Sequence, residues 1–243
     1  MNDWKNFYNA IRDSSWPDCD KINDFVTLPS VIQLEIIQDH LFNEKHSILA
    51  NKIRNTHTKS PNFLIHINEI KQIIGPTDTL MNSQDAVFLY SLIWSKTPKN
   101  VLEIGRWHGW SSAIIFGALE DAGIGHLYTV DITDRTNTII KSVIESRTTF
   151  ITASSANILS LDALTQLQFE VVFIDGDHSY SSTLIDLKNT YKILTAEAWI
   201  LVHDDDMSEV RNAINTFLSQ VDNVIDCGCY GEKIRLLYKK DCK

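Results

Sequence analysis

The sequence lacks long apolar runs, basic clusters and a signal-peptide core. No apolar run approaches the ~20 residues that are needed to span a bilayer, and residues 1–18 mix polar and aromatic side chains. The formal net charge is −9, and no run of Lys or Arg is present that could neutralise a phosphate backbone. We therefore expect a cytoplasmic protein without nucleic-acid or membrane partners.

Cysteine is scarce as well. The 243 residues contain four cysteines, which are too few and too scattered for a disulfide framework. Cys227 and Cys229 form a C-x-C pair, but a structural zinc site needs about four ligands and no second pair accompanies them. We therefore interpret these two cysteines as structural.

The glycines do not have the spacing of a dinucleotide fold. The chain has nine glycines and no G-x-G-x-x-G motif. The stretch "VLEIGRWHGWSS" contains Gly105 and Gly109 but places Trp107 where the middle glycine would stand. The acid in this stretch, Glu103, also suits a ligand that carries positive charge better than a phosphate. These features argue against an NAD site.

Residues 1–80 show no strand alternation and are interrupted by four prolines, so we expect an N-terminal helical extension. Within it, Val31, Leu34 and Ile37 follow a helical period, and Ser30 is a suitable N-cap. Such a helix can cover a substrate cleft, form a dimer seam or simply belong to the core. We expect this extension to act as a lid over residues 81–243, which form the main domain.

From Asn100 onward, short β-branched runs alternate with helix-length amphipathic stretches. The runs are "NVLEIG", "HLYTVDI", "TFITAS", "FEVVFID" and "AWILVHD". Strands joined by helical crossovers indicate a parallel sheet with helices on both faces. The final runs, "DNVIDCGC" and "EKIRLLYK", are separated by only a few residues and can pair as an antiparallel hairpin. The sequence thus predicts an α/β fold: a doubly wound, Rossmann-like sheet of seven strands, mostly parallel, with an antiparallel last strand.

In such sheets the ligand lies beyond the carboxyl ends of the strands. Gly105 and Gly109 follow the first strand, and Asp131 ends the second, where an acid can accept both hydroxyls of a ribose. Ser154 and Ser155 follow the third strand, where they could reach an adenine edge. Each of these residues could instead cap the helix that follows it.

These residues, in this order and on these strands, resemble the class I S-adenosylmethionine-dependent methyltransferases over roughly residues 80–240. The motifs "EIGRWHGWSS", "IDGDHSY" and "ILVHDD" are most similar to the bacterial branch that includes sugar and natural-product O-methyltransferases. The resemblance implies that Glu103 and the backbone at Gly105 and Gly109 face the methionine moiety. It also implies that Asp131 holds the ribose and that Ser154 or Ser155 lies beside the adenine.

The fourth and fifth strands are neighbours in this fold, so their acidic ends should meet. Carboxylates that converge without a compensating Lys or Arg raise one another's pKa values, and a hard divalent cation removes that difficulty. Oxygen ligands at strand ends suit Mg²⁺ first, with Mn²⁺ and Ca²⁺ as alternatives, rather than zinc. The metal-dependent O-methyltransferases resemble this arrangement. We expect Asp175, Asp204 and Asp205 to be the metal ligands, whereas Asp177 and Asp206 are expected to cap helices.

A metal-bound hydroxyl would still need a base to accept its proton. His178 lies three residues beyond Asp175, and an ordinary imidazole pKa near 6.5 suits that role. We therefore expect His178 to be the general base, with Asp177 and His203 as the alternatives and Asp175 as the second catalytic residue.

The sequence thus predicts an S-adenosylmethionine-dependent O-methyltransferase with Mg²⁺ assistance. The expected acceptor is a hydroxyl of a small molecule, a sugar or a glycosylated metabolite. Two alternatives stay open: an NAD-dependent oxidoreductase on the same sheet, and a non-catalytic cofactor-binding or scaffold subunit. The oligomeric state stays open, and a homodimer is the commonest case.

Overall fold

The computed structural model describes residues 81–241, which form a sheet of seven strands with helices on both faces. The predicted N-terminal extension, residues 1–80, lies outside the described residues. The helices are α1 (Ser83–Lys96), α2 (Trp110–Ala122), α3 (Thr138–Ile144), α4 (Asp162–Thr165), α5 (Tyr180–Lys192) and α6 (Ser208–Leu218). The strands are β1 (Asn100–Ile104), β2 (His126–Asp131), β3 (Thr148–Thr152), β4 (Phe169–Ile174), β5 (Leu194–Val202), β6 (Val224–Tyr230) and β7 (Ile234–Lys239).

The strand order is β3-β2-β1-β4-β5-β7-β6, which confirms the predicted fold class. The first five strands are parallel, and β7 runs antiparallel to both β5 and β6. After β1 the chain continues to β2 on one side of the sheet, and after β4 it continues to β5 on the other side. The loops at the carboxyl ends of β1 and β4 therefore run in opposite directions. This switch point is where ligands bind in open α/β sheets.

The central strands are apolar on both faces because each face is covered by helices. Val101, Phe173 and Leu201 point into a core cluster shared with α1 and α2. Their sequence neighbours Leu102, Val172 and Ile200 point into the opposite cluster, which is shared with α5 and α6. Alternate residues of one strand therefore face different cores, as the period of two requires.

The β6–β7 hairpin is tied to the start of α1 through a buried acid that the sequence analysis did not single out. Asp85 is fully buried, and its Oδ1 accepts hydrogen bonds from the backbone N–H groups of Glu232 (2.7 Å) and Lys233 (3.1 Å). A Cβ at Gly231 would lie 2.3 Å from this Oδ1, so only glycine allows so close an approach. The contact brings α1 to the carboxyl ends of the strands.

Candidate active site

The loop after β1 brings the backbone against the neighbouring β4 end. Gly105 has φ 89°, and a Cβ at this position would lie 2.0 Å from the carbonyl oxygen of Asp175. Trp107, at the position of the missing middle glycine, also adopts a positive φ of 48°. Its indole is 45% exposed and lies under the guanidinium of Arg135, at 4.5 Å from the ring centre. The bulky residue therefore fits because its side chain turns outward over the loop.

A cavity of about 350 Å³ opens between this loop and the ends of β2, β3 and β4. Five residues expected at a cofactor or metal site line it: Gly105, Asp131, Ser154, Ser155 and Asp175. Further lining residues are Trp107, Ile132, Gly176, Asp177, Ile185 and Asp186. The cavity lies at the switch point of the sheet.

Asp131 is held in place by the loop itself. Its Oδ2 accepts hydrogen bonds from the backbone N–H groups of Arg106 and Trp107, both at 2.9 Å, and its Oδ1 accepts one from Thr133 at 3.0 Å. Each carboxylate oxygen has a second lone pair, and the side chain is half-buried at the cavity. The arrangement leaves Asp131 able to accept ribose hydroxyls while its orientation stays fixed.

Glu103, which the resemblance places beside the methionine moiety, is not among the residues that line the cavity. Its carboxylate is fully buried and accepts hydrogen bonds from the hydroxyls of Ser111, Ser112 and Thr129. Burial raises the pKa of Glu103, and these three hydrogen bonds counter part of that effect. The two serines belong to the first turn of α2, so they draw the carboxylate under the helix. Glu103 therefore anchors α2 to the sheet.

Gly109 also lies away from the cavity lining. It is the N-cap of α2 with φ 94°, and a Cβ there would lie 3.0 Å from Cγ2 of Thr136 and 3.1 Å from Cγ2 of Ile140. Its conformation and its close packing both favour glycine. Gly109 shapes the turn into α2, and no cavity contact supports the expected cofactor role.

The ends of β4 and β5 bring two acids and two histidines together. Nε2 of His178 lies 3.5 Å from Oδ1 of Asp175 and 3.1 Å from Oδ2 of Asp204. Nδ1 of His203 lies 3.4 Å and 3.0 Å from the same two oxygens. Asp204 adopts a positive φ of 56°, which turns its side chain toward this group. We call Asp175, His178, His203 and Asp204 the acid–histidine cluster.

His203 supplies the positive charge that the sequence analysis did not find among Lys and Arg. Its Nε2 lies 3.2 Å from Oδ2 of the buried Asp85. Burial disfavours the charged imidazole, but contacts with Asp175, Asp204 and Asp85 outweigh it and raise the pKa of His203 well above its ordinary value. Lys233 adds a second cation, with Nζ 3.5 Å from Oδ1 of Asp204. The acids are therefore compensated by the protein's own groups.

Asp205 lies outside the cluster, so the structure brings together two of the three expected metal ligands, Asp175 and Asp204, and not the third. It is 2% exposed, and its Oδ2 accepts a hydrogen bond from Sγ of Cys229 at 2.8 Å. The same oxygen faces Arg211 at 3.5 Å and Arg235 at 3.7 Å. The side chains of the adjacent residues Asp204 and Asp205 point in different directions. Arg211 and Arg235 hold the carboxylate of Asp205 next to the β6–β7 hairpin.

Three side chains of the cluster could hold a metal ion. Asp175, His178 and Asp204 each offer one ligand atom, and these atoms lie within 4.8 Å of one another. Nε2 of His178 is buried and makes no hydrogen bond to any residue in the described part of the chain. The set therefore fits a divalent cation, with an imidazole where a third carboxylate was expected. Because imidazole is a common ligand of Mn²⁺, Fe²⁺ and Zn²⁺, it widens the range of suitable metals beyond Mg²⁺.

The comparison with known proteins agrees with this architecture. A family model described as a methyltransferase domain matches residues 102–204, which run from β1 to Asp204. No curated protein matches the sequence significantly. No helix among residues 81–241 is long and apolar enough to cross a membrane.

Solved structures with similar folds include three methyltransferases. The first is SAH-bound PaMTH1 from Podospora anserina, at 18% identity and TM-score 0.55, covering 82% of this chain and 97% of that one. The second is the O-methyltransferase from Bacillus cereus in complex with SAH, at 15% identity and TM-score 0.56, covering 78% and 96%. The third is TomG from Streptomyces achromogenes, with SAM, at 16% identity and TM-score 0.54, covering 83% and 100%.

At these identities the structural likeness shows the fold, and the family match covers the strand ends that form the cavity. Gly105, Asp131 and Asp175, which line the cavity, all lie inside the matched segment. A methyltransferase-domain model thus matches the segment that forms the cavity, and the chain shares the fold of solved methyltransferases that bind SAM or SAH.

Proposed function

We propose that the protein transfers the methyl group of S-adenosylmethionine to a hydroxyl of a small molecule, with His178 as the general base. The observation that carries this proposal is the position of the His178 side chain beside Asp175, which lines the cavity. Its Nε2 lies 3.5 Å from Oδ1 of Asp175 and 3.1 Å from Oδ2 of Asp204. Contacts with these two acids raise the pKa of His178, so an imidazole that accepts a proton here is stabilised once it is charged.

The protein's own groups account for the proton transfer. As a hydroxyl oxygen attacks the methyl carbon, its proton passes to Nε2 of His178, and Asp175 and Asp204 stabilise the imidazolium that forms. His203 keeps both acids oriented and is itself held by Asp85. Holding the oxygen, methyl carbon and sulfur in line can supply several kcal/mol of the barrier. The transfer removes the sulfonium charge, so exclusion of water favours it.

A hydroxyl-rich acceptor suits the cavity mouth. Asp175 and Asp177 line the cavity, Asp204 lies next to them against His178, and each carboxylate can accept hydrogen bonds from sugar hydroxyls. Among the proteins of similar fold, TomG is an O-methyltransferase involved in tomaymycin synthesis. The carboxylates at this edge support a sugar or glycosylated metabolite as the acceptor. The predicted lid, residues 1–80, would complete the pocket and lies outside the described residues.

Metal assistance is the second form of this proposal. Asp175, His178 and Asp204 would hold the ion, which when bound would lower the pKa of the acceptor hydroxyl. His178 cannot bind a metal through Nε2 and accept a proton there at the same time. The two forms therefore make opposite predictions for chelation.

The test is S-adenosylhomocysteine release in the presence of a panel of glycosylated and other hydroxylated small molecules. His178→Gln is expected to lower kcat by about 10²–10⁴-fold while the affinity for S-adenosylhomocysteine is kept. The matched control is His126→Gln, because His126 starts β2 at the opposite end of the sheet and contacts Thr149. Activity in His178→Gln equal to that of the control would refute the role of His178. Loss of activity in EDTA, restored by Mg²⁺ or Mn²⁺, supports the metal-assisted form.

A further inference from the structure

A buried acid near the start of α1 connects this helix, the β6–β7 hairpin and the acid–histidine cluster. Asp85 is fully buried, and its two carboxylate oxygens have separate partners. Oδ1 accepts hydrogen bonds from the backbone N–H groups of Glu232 and Lys233 in the hairpin turn. Oδ2 accepts one from Nδ2 of Asn82 at 2.6 Å and lies 3.2 Å from Nε2 of His203. These donors satisfy the carboxylate, so it stays buried without any ligand.

The hydrogen bond with Asp85 fixes the orientation of the His203 ring. Nδ1 of this ring lies 3.0 Å from Oδ2 of Asp204 and 3.4 Å from Oδ1 of Asp175, but among residues 81–241 it makes no aligned hydrogen bond. A hydrogen bond depends steeply on its angle, whereas attraction between charges does not. The bond at Nε2 therefore sets the plane of the ring. Asp85 thereby decides how Nδ1 is presented to the two acids.

Asp85 also holds the second cation beside Asp204. Lys233, whose backbone N–H it accepts at 3.1 Å, places Nζ 3.5 Å from Oδ1 of Asp204. The backbone carbonyl of Lys233 accepts the N–H of Asp205 at 3.0 Å, so the hairpin turn is tied to the end of β5. His203 and Lys233 thus flank Asp204 from two directions, and both are held by the same buried carboxylate.

Resting on the proposed methyl transfer, we propose that Asp85 is a positioning residue that acts on the reaction through His203. Asp85 fixes the ring, and the ring fixes the two acids of the cluster. Those acids stabilise the charge that His178 gains when it accepts the proton. In the metal-assisted form the same acids are ligands, and Asp85 orients them in the same way. Neither Asp85 nor His203 lines the cavity, so loss of their hydrogen bond should slow the chemical step without weakening cofactor binding.

Asp85→Asn separates this role from the anchoring of the hairpin. The amide oxygen can replace Oδ1 as the acceptor of the two backbone N–H groups, whereas the amide nitrogen, in the place of Oδ2, can only donate. It then meets the N–H of His203 as a second donor, and the hydrogen bond is lost. Asn82→Ala is the matched control. It removes the N-cap side chain that accepts the backbone N–H of Asp85, which weakens the same helix start but keeps the Asp85–His203 contact.

The first measurement is proton NMR of the His203 ring N–H in water, which needs no acceptor substrate. A buried imidazole N–H that donates to a carboxylate exchanges slowly with water and gives a resolved downfield signal. His203→Gln identifies this signal by removing it. Wild type and Asn82→Ala should show the signal, and Asp85→Asn should not. Its absence from wild type, or its persistence in Asp85→Asn, overturns the inference.

The second measurement is S-adenosylhomocysteine release with the panel of hydroxylated acceptors, together with calorimetric binding of S-adenosylhomocysteine. Asp85→Asn is expected to lower kcat by about 10- to 100-fold at unchanged affinity for S-adenosylhomocysteine, whereas Asn82→Ala keeps kcat. Adding Asp85→Asn to His203→Gln should lower kcat no further, because the two residues act in series.

A kcat of Asp85→Asn equal to that of Asn82→Ala overturns the inference while the proposed function stands. An additive loss of kcat in the double variant does the same. A wild-type protein that methylates no hydroxyl contradicts the proposed function, and the NMR signal then still decides whether Asp85 orients His203.

Discussion

Replacing Asp186 by Asn should stabilise the cofactor-free protein at neutral and alkaline pH. The acid has an ordinary pKa of 3.8 and a folded-state pKa of about 6, because the fold buries it. The folded protein therefore holds this proton more tightly than the unfolded chain, and folding becomes less favourable as the pH rises from about 4 to about 6. Above about pH 6 the whole penalty is present, whereas below about pH 4 both states are protonated and it vanishes.

The gap between the two pKa values corresponds to at most about 3 kcal/mol of unfolding free energy. An amide of the same shape carries no such penalty, so Asp186→Asn should exceed wild type by up to about 3 kcal/mol at about pH 8. With about 2–4 °C per kcal/mol for a chain of this size, the Tm should rise by up to about 6–12 °C. At about pH 4 the two proteins should have the same Tm.

Thermal and urea unfolding of both proteins across this pH range measures the difference directly. Comparing the two at each pH cancels the titration of all other groups that the substitution does not affect. A stability difference that does not change between about pH 4 and pH 8 would refute the reasoning, since Asp186 would then ionise equally in both states.

Three further results are expected. Glu103→Ala leaves three buried hydroxyls without their acceptor and should lower the unfolding free energy by about 3 kcal/mol in urea titrations; a loss below about 1 kcal/mol would contradict its anchoring role. Gly105→Ala should abolish S-adenosylhomocysteine binding or folding, because the added Cβ would lie 2.0 Å from a backbone oxygen. The control Gly228→Ala, at a similar φ of 95° but with no atom within 4 Å of the added Cβ, should keep S-adenosylhomocysteine binding in calorimetry. Asp204→Asn should weaken Mn²⁺ binding at least tenfold in calorimetric titrations while Asp205→Asn leaves it unchanged; equal losses would return Asp205 to the metal site.

The sheet and its strand ends could be predicted because both follow from local patterns. Two apolar faces mark a central strand, and the residue type at each strand end is a property of the sequence alone. Asp186 left a local signal that the sequence analysis missed. Thr183, Asp186, Leu187 and Thr190 form the buried stripe of α5 at positions i, i+3, i+4 and i+7, and an acid on such a stripe is unusual. Asp85 gives no local sequence signal of its role, because its hydrogen-bond partners Glu232 and Lys233 lie far away in the sequence.

By itself the sequence determined the α/β class, the order of the strands along the chain and the acids that end β2, β4 and β5. Only the tertiary structure decided where each side chain points. Asp204 turns into the acid–histidine cluster through its positive φ, while its neighbour Asp205 is held by Arg211 and Arg235. Glu103 likewise follows the hydroxyls of α2 away from the cavity. The type of each residue can be read directly from the sequence. The direction of its side chain depends on the backbone conformation and on partners that only the folded chain brings together.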